Sequence, residues 1–288
     1  MSSISLTLIV FSAMLHVAAH LALKRAQNRT AFIWWMWFWA VLLTTPAAVR
    51  YWQSVPSAVW GIVCVSAVFD TLYYRSLTKA YRAGDLSVVY PLSRGTAPVL
   101  ILLWAVLFLK ESPTVGGVAG IGMIVTGIYL IQMPRFGAWR ESWQALGGPA
   151  ARWALIAGLC ISLYTTVDKV GVSYLAPLFY TYLSMAAMLV CLTPGTLRAV
   201  GRGGLVDELR SSRFITVGAG LASISAYGIV LYAMKMGLPA SYAGALREIS
   251  VVFGAITGIV LLKEQGTLIR ILGAIMIAAG AIAIALLG

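Results

Sequence analysis

Ten predominantly apolar runs succeed one another along the chain: residues 4–23, 31–49, 57–77, 86–109, 114–132, 152–168, 174–197, 214–234, 240–262 and 267–287. Each is 17 to 24 residues long, the length of helix that crosses about 30 Å of hydrocarbon. Polar residues between the runs are confined to short turns and charged clusters. The pattern predicts an all-α polytopic membrane protein with ten transmembrane helices. The first run lacks a basic stretch ahead of it and a small-residue cleavage site, and a positive cluster follows it, so it reads as a retained span.

Composition agrees with that class. Hydrophobic residues make up 60% of the 288 and charged residues 10%, against about 25% charged in a soluble domain, which leaves no room for a sizeable soluble domain. The net charge of +12 raises nucleic acid as a partner, but the basic residues flank apolar runs and form no aromatic-interleaved stripe, so no nucleic-acid partner is expected. Membrane topology accounts for them better. With the N-terminus outside, the inner loops hold Lys24, Arg25, Arg29, Arg75, Lys79, Arg82, Arg135, Arg140, Arg152, Arg198, Arg202, Arg210, Arg213, Lys263 and Arg270, fifteen in all. The outer loops hold four, Arg50, Lys110, Lys169 and Lys235. Cytoplasmic loops carry the Lys and Arg excess, so a multi-pass inner-membrane protein with both termini on the non-cytoplasmic side is expected. Cys64, Cys160 and Cys191 lie within apolar runs without metal-ligand spacing and read as thiols buried in lipid or protein.

The two halves of the chain read as copies. Residues 85–131 match residues 238–284, with Gly84 aligned on Gly237, Arg94 on Arg247, Lys110-Glu111 on Lys263-Glu264, Gly120 on Gly273 and Gly127 on Gly280. The glycines read as close-packing positions between membrane helices. The first spans match less firmly: closing them on Lys24 and Lys169 sets His16 and His20 opposite Ile161 and Thr165, and a shift of three sets them opposite Tyr164 and Asp168. Five spans per half is an odd number, so homologous halves must sit in opposite orientations, the inverted-repeat arrangement of many secondary transporters. The predicted organisation is a first five-helix repeat over 1–133, a cytoplasmic linker over 134–151 with Pro134, Gly137, Gly147, Gly148 and Pro149, and a second repeat over 152–288. The cytoplasmic connection 198–213 reads as a solvated loop without a functional part.

The run Ala83-Gly84-Asp85-Leu86-Ser87-Val88-Val89-Tyr90-Pro91-Leu92-Ser93-Arg94-Gly95-Thr96-Ala97-Pro98, with Leu15-His16 and Lys24 closing the first span, resembles the EamA-type branch of the drug/metabolite transporter superfamily. The resemblance covers the whole chain. It implies two inverted five-helix repeats and alternating-access transport, often export, of small metabolites such as amino acids. Small multidrug exporters built from a single repeat carry an essential glutamate in their first helix. The matching position here is His16, so a carboxylate-based coupling mechanism is not carried over. Proteins that look like this one, with a histidine in the first helix, are associated with phosphonate use.

Candidate site residues stand out as charges in apolar surroundings. An arginine at mid-bilayer depth costs roughly 2.5–3.5 kcal/mol on insertion scales, and the chain places Arg94 and Arg247 at equivalent depths. A guanidinium offers a fork of donors suited to carboxylate, phosphate or phosphonate; the structural alternative is a buried ion pair. Glu248 is adjacent to Arg247, but neighbouring helix positions point about 100° apart, so it is expected to address another helix and is the leading protonatable residue. Asp70 lies mid-span and must be paired or protonatable, with Arg94 or Arg247 as the expected partner. His16 and His20 share one helix face, and a histidine with its ordinary pKa can change charge in the physiological range, which would suit proton or substrate contact, while a core role stands beside it; no metal site is expected. The leading tryptophans of Trp34, Trp35, Trp37 and Trp39 read as an interfacial belt. Trp39, with Tyr73, Tyr74, Tyr90, Tyr164, Tyr227 and Tyr242, is placed to line a cavity.

The expected function is a secondary-active exporter of a small anionic or zwitterionic metabolite such as an amino acid, organic acid or phosphonate. Arg94, Arg247, Tyr90, Tyr74, Trp39, Tyr164 and Tyr227 would bind it, and Glu248, Asp70, His16 and His20 would supply coupling or ion pairs. Protons are the candidate coupling ion, the bilayer is the surrounding partner, no cofactor is called for, and either a monomer or a homodimer fits. The competing expectation is an organic-cation or multidrug transporter with both arginines neutralised by Asp70 and Glu248. Neither a nucleophile–base–acid cluster nor a Gly-rich phosphate loop points to an enzyme.

Overall fold

The computed structural model describes residues 3–24, 26–84, 86–133, 147–262 and 268–288, nearly all with their side chains. The Lys263-Glu264 turn and most of the predicted linker lie outside them. The described residues fold into helices only: α1 (Ser3–Lys24), α2 (Arg29–Arg50), α3 (Ser57–Ala83), α4 (Leu86–Leu107), α5 (Val115–Gln132), α6 (Pro149–Tyr174), α7 (Pro177–Lys235), α8 (Ala240–Leu246), α9 (Ile249–Leu262) and α10 (Leu268–Leu287). Among them, six helices are long and apolar enough to cross a membrane, and shorter apolar stretches lie in α4 and α5. The chain is a polytopic helical membrane protein.

Two departures from the apolar-run pattern have local causes. The seventh and eighth runs are joined in α7, whose 59 residues would measure about 88 Å if straight, far more than one crossing needs. Its path is broken at Gly201 (φ 66°, ψ 177°) and Ser212 (φ −132°, ψ 17°); the positive φ at Gly201 is a conformation glycine adopts without steric cost. The ninth run is split. Around Arg247 and Glu248 the backbone switches to i→i−3 bonds, from Glu248 N to Ala245 O, Ser250 N to Arg247 O and Val251 N to Glu248 O. That tighter turn separates α8 from α9.

The helix starts are capped by short polar side chains where the sequence supplies them. Asn28 Oδ1 accepts from the Thr30 and Ala31 amides ahead of α2, and Thr114 Oγ1 accepts from Gly117 N ahead of α5, satisfying amides that lack an intrahelical partner. The Lys110-Glu111 turn does more than end a helix. Lys110 adopts φ 56°, and Glu111 accepts from Ala240 N at 2.6 Å, Ser241 N at 3.2 Å and the Ser241 hydroxyl at 2.7 Å. A carboxylate from the end of one half thus caps α8 in the other. The 198–213 connection is also anchored: Trp35 Nε1 donates to Leu205 O, and buried Glu208 accepts from Asn28 N at 2.7 Å.

Helices from the two halves interleave. The α1 helix lies on the later part of α7, with Ser12 Oγ donating to Ala226 O; α3 lies on α6, and α2 on α7. The α5–α10 crossing brings backbone against backbone. A Cβ at Gly120 would meet Gly280 O at 2.7 Å, and one at Gly127 would meet Gly273 O at 2.6 Å; the reverse contacts from Gly280 and Gly273 fall at 2.5 and 2.7 Å. Ascending positions on α5 meet descending positions on α10, so the two run antiparallel. Only glycine permits this approach of the backbones.

Candidate functional site

A cavity of about 70 Å³ lies where α1, α2, α3, α4, α6, α7 and the α8–α9 break meet. That is room for roughly five to seven waters, taking about 10–15 Å³ for each on the same measure. Arg94 projects from α4 and Arg247 from the break; α1 contributes His16 and His20, α2 Met36 and Trp37, α3 Asp70, Tyr73 and Tyr74, α6 Tyr164, and α7 Met185, Ser223 and Tyr227. The break between α8 and α9 carries Arg247 and Glu248, with Arg247 lining the cavity and Glu248 within reach of Arg94.

The cations share one carboxylate. Arg94 Nη1 lies 3.3 Å from Glu248 Oε1, and Arg247 Nε lies 4.0 Å from the same oxygen. Glu248 does address another helix, as its neighbour relation to Arg247 required, and Arg94 is its partner. Arg94 Nη2 also donates to His20 Nε2 at 3.2 Å. Arginine has only donors, so that nitrogen of His20 accepts and carries no proton in this arrangement. His16 and His20 stack with ring centroids 6.4 Å apart, and His16 Nδ1 lies 3.3 Å from Ser12 O. Among the described residues no group of three or more His, Cys, Asp or Glu is placed to hold a metal ion.

Arg247 is 3% exposed, yet its Nε and Nη2 have no hydrogen-bond partner among the described residues. Asp70 is 5% exposed, and its Oδ2 has none either. The expectation that Asp70 neutralises an arginine is therefore corrected: the ion pairs run to Glu248, and Asp70 forms none within 4.0 Å among the described residues. Burying charged or polar atoms unpaired is costly. Both side chains line the one cavity.

A continuous aromatic wall joins these charges. Ring centroids lie 6.3 Å apart for Trp37 and Tyr74, 4.8 Å for Tyr74 and Tyr73, 6.3 Å for Tyr73 and Tyr164, and 6.0 Å for Tyr164 and Tyr227. Behind it sits Asp168, fully buried, accepting from the Tyr180 hydroxyl at 2.6 Å and from the Tyr227 hydroxyl. Of the aromatic residues expected at the cavity, Tyr73, Tyr74, Tyr164 and Tyr227 line it. Trp39 does not: it packs on Trp35 and Phe38 instead. Two residues of helix rotate a side chain by about 200°, so Trp37 faces the cavity from α2 and Trp39 turns away. Tyr242 is elsewhere too, its hydroxyl accepting from Thr114 N at 3.0 Å, and the side chain of Tyr90 lies outside those described. Sequence reasoning missed Asp168, Trp37, Met36, Met185 and Ser223. Asp168 alone had left a trace, in the shifted alignment that set it opposite His20.

A bilayer-crossing helical bundle closed around a charged aromatic cavity defines a membrane transport protein. The chain belongs to the EamA-like transporter family, whose model matches residues 3–133 and 149–286. It is also similar to an uncharacterized transporter in the cobO 3′ region of a Sinorhizobium species, 30% identical over 147 residues that make up 50% of this chain and 97% of that protein. A solved crystal structure shares the fold with a TM-score of 0.79, covering 100% of both chains at 16% identity. Family and relative point to a transporter rather than an enzyme.

Proposed function

We propose that this protein is a secondary-active transporter that exports a small anionic or zwitterionic metabolite, such as an amino acid, organic acid or phosphonate, by alternating access. One observation carries the proposal: Arg247 is buried at the cavity with two guanidinium nitrogens unpartnered among the described residues, while the nearby carboxylate of Glu248 sits closer to Arg94. A bidentate anion would satisfy both nitrogens. The organic-cation alternative requires both arginines neutralised; the two share the single carboxylate of Glu248, with Asp70 outside ion-pair distance, which favours the anion reading.

In this proposal the transporter has ten crossings arranged as two inverted repeats, 1–133 and 152–288, in an inner membrane with both termini outside the cytoplasm. The antiparallel α5–α10 contact supports it, because Gly120 and Gly127 meet the repeat-mates of each other across one crossing. The fifteen-to-four bias of Lys and Arg supports the orientation. Protons couple through the Glu248–Arg94–His20 chain, since protonating His20 Nε2 removes the acceptor that holds Arg94.

The test is a thermal-shift screen of the purified protein with amino acids, organic acids, phosphonates and quaternary amines, repeated on Arg247→Gln. A ligand at 100 times its Kd stabilises by about 2.7 kcal/mol, readily seen as a raised melting temperature. Stabilisation by anionic or zwitterionic compounds that Arg247→Gln abolishes is the expected result. Stabilisation only by quaternary amines, unchanged in Arg247→Gln, sinks the assignment.

A further inference from the structure

We infer that the cavity is a dipolar site for a compact zwitterion, with Arg247 receiving the anionic group and Asp70 receiving the ammonium. The inference rests on the anion reading of Arg247 given above and extends it to the other end of the ligand. Asp70 projects from α3 and Arg247 from the α8–α9 break into the same cavity, both at least nine-tenths buried. Each keeps polar atoms without a partner among the described residues, and they form no ion pair with each other. An acid and a guanidinium that line one small space without pairing are both completed by a ligand carrying the reverse dipole.

The surroundings of Asp70 also favour a cation. Tyr73, Tyr74, Tyr164 and Tyr227 form the wall on which it stands, and aromatic faces attract ammonium groups. Tyr227 commits its hydroxyl proton to Asp168, so toward the cavity its oxygen offers lone pairs only. Asp168 itself is occupied by two tyrosine hydroxyls, and of the acidic side chains described it is Asp70 that lines the cavity. A monoanion would gain Arg247 but leave Asp70 without a partner, and a monocation would leave Arg247 without one. Selectivity for the zwitterion therefore arises from rejection of both half-ligands as much as from attraction.

Binding of glycine, β-alanine, γ-aminobutyrate, propionate and ethylamine, followed by thermal shift and by competition against counterflow in proteoliposomes, tests this on the full-length protein. In the native protein at least one of the three zwitterions should bind more tightly than both propionate and ethylamine, and the best of the three reports the charge spacing. Asp70→Asn should weaken that zwitterion by about tenfold or more, as expected for loss of a hydrogen bond to a charged group, while propionate binds as well as before or better. Asp70→Ser is the second variant should the amide disturb folding, with the same expectation. Native binding in which no zwitterion exceeds both half-ligands overturns the inference, as does an Asp70 variant that keeps the native preference. Arg247→Gln separates the two readings. If it leaves propionate and zwitterion binding intact, the anion assignment fails; if it abolishes both while the Asp70 variants leave the zwitterion preference unchanged, only the dipolar inference fails.

Discussion

Replacing Glu248 by Gln removes the only carboxylate that forms an ion pair with the two cavity arginines among the described residues. At an effective dielectric of about 20, a charge pair attracts by about 5 kcal/mol at the 3.3 Å of Arg94 and about 4 kcal/mol at the 4.0 Å of Arg247. Desolvation already cancels much of this in the native protein. The substitution leaves that desolvation in place and removes the attraction, so the net loss is about 3–5 kcal/mol, the range for breaking a buried pair from one side. By the scaling of soluble proteins this lowers the melting temperature by about 6–20 °C. Thermal unfolding in detergent measures it, with Arg94→Gln and Arg94→Gln/Glu248→Gln completing a double-mutant cycle. The double variant should recover part of the loss, with a coupling energy of about 2 kcal/mol or more, because residues in direct contact are not additive. Melting of Glu248→Gln within about 2 °C of the native protein, or additivity in the cycle, refutes the shared-carboxylate account.

Further outcomes follow from the packing and the wall. Gly127→Ala forces a Cβ to within 2.6 Å of Gly273 O and should cost about 1–3 kcal/mol by overpacking; Gly122→Ala meets nothing within 4 Å and should be neutral or gain about 0.5–1 kcal/mol in helix propensity, a contrast that paired melting curves read directly. Asp168→Asn keeps the shape but loses one acceptor for the Tyr180 and Tyr227 hydroxyls, so stability should fall by about 1–3 kcal/mol, and adding Tyr227→Phe should cost less on that background than on the native one. Trp37→Ala should weaken binding of whichever ligand the thermal screen finds, while Trp39→Ala should leave its Kd unchanged, since only Trp37 lines the cavity.

The residues that could be read from sequence are those whose cost is visible without a fold. A guanidinium in an apolar run needs a reason wherever the helix ends up, so Arg94, Arg247, Glu248 and Asp70 announced themselves, and i, i+4 spacing was enough to bring His16 and His20 together. What stayed hidden depended on helix phase and helix ends. The α2 run carries aromatic residues at 34, 35, 37, 38 and 39, so nothing in the pattern says which of them faces inward; only the packing of α2 on α7 chooses Trp37. The apolar run ends at Asp168 because Lys169 follows it, and a lysine ordinarily marks the membrane boundary. The helix instead runs on to Tyr174, and Lys169 turns back to donate to Met234 O at 2.7 Å and Leu238 O at 2.9 Å, which uses it to close carbonyls at the end of α7 and leaves Asp168 inside. Glu208 and Glu111 likewise sit beside turns, where a charge reads as solvated, yet Glu208 accepts from the Asn28 amide and Glu111 from the Ala240 and Ser241 amides. The common cause is that a charge beside a turn has two physical fates, solvation or capping, and the choice is made by a partner distant in sequence. Charges deep in a span have no such first option, which is why the centre of the site was legible and its supporting shell was not.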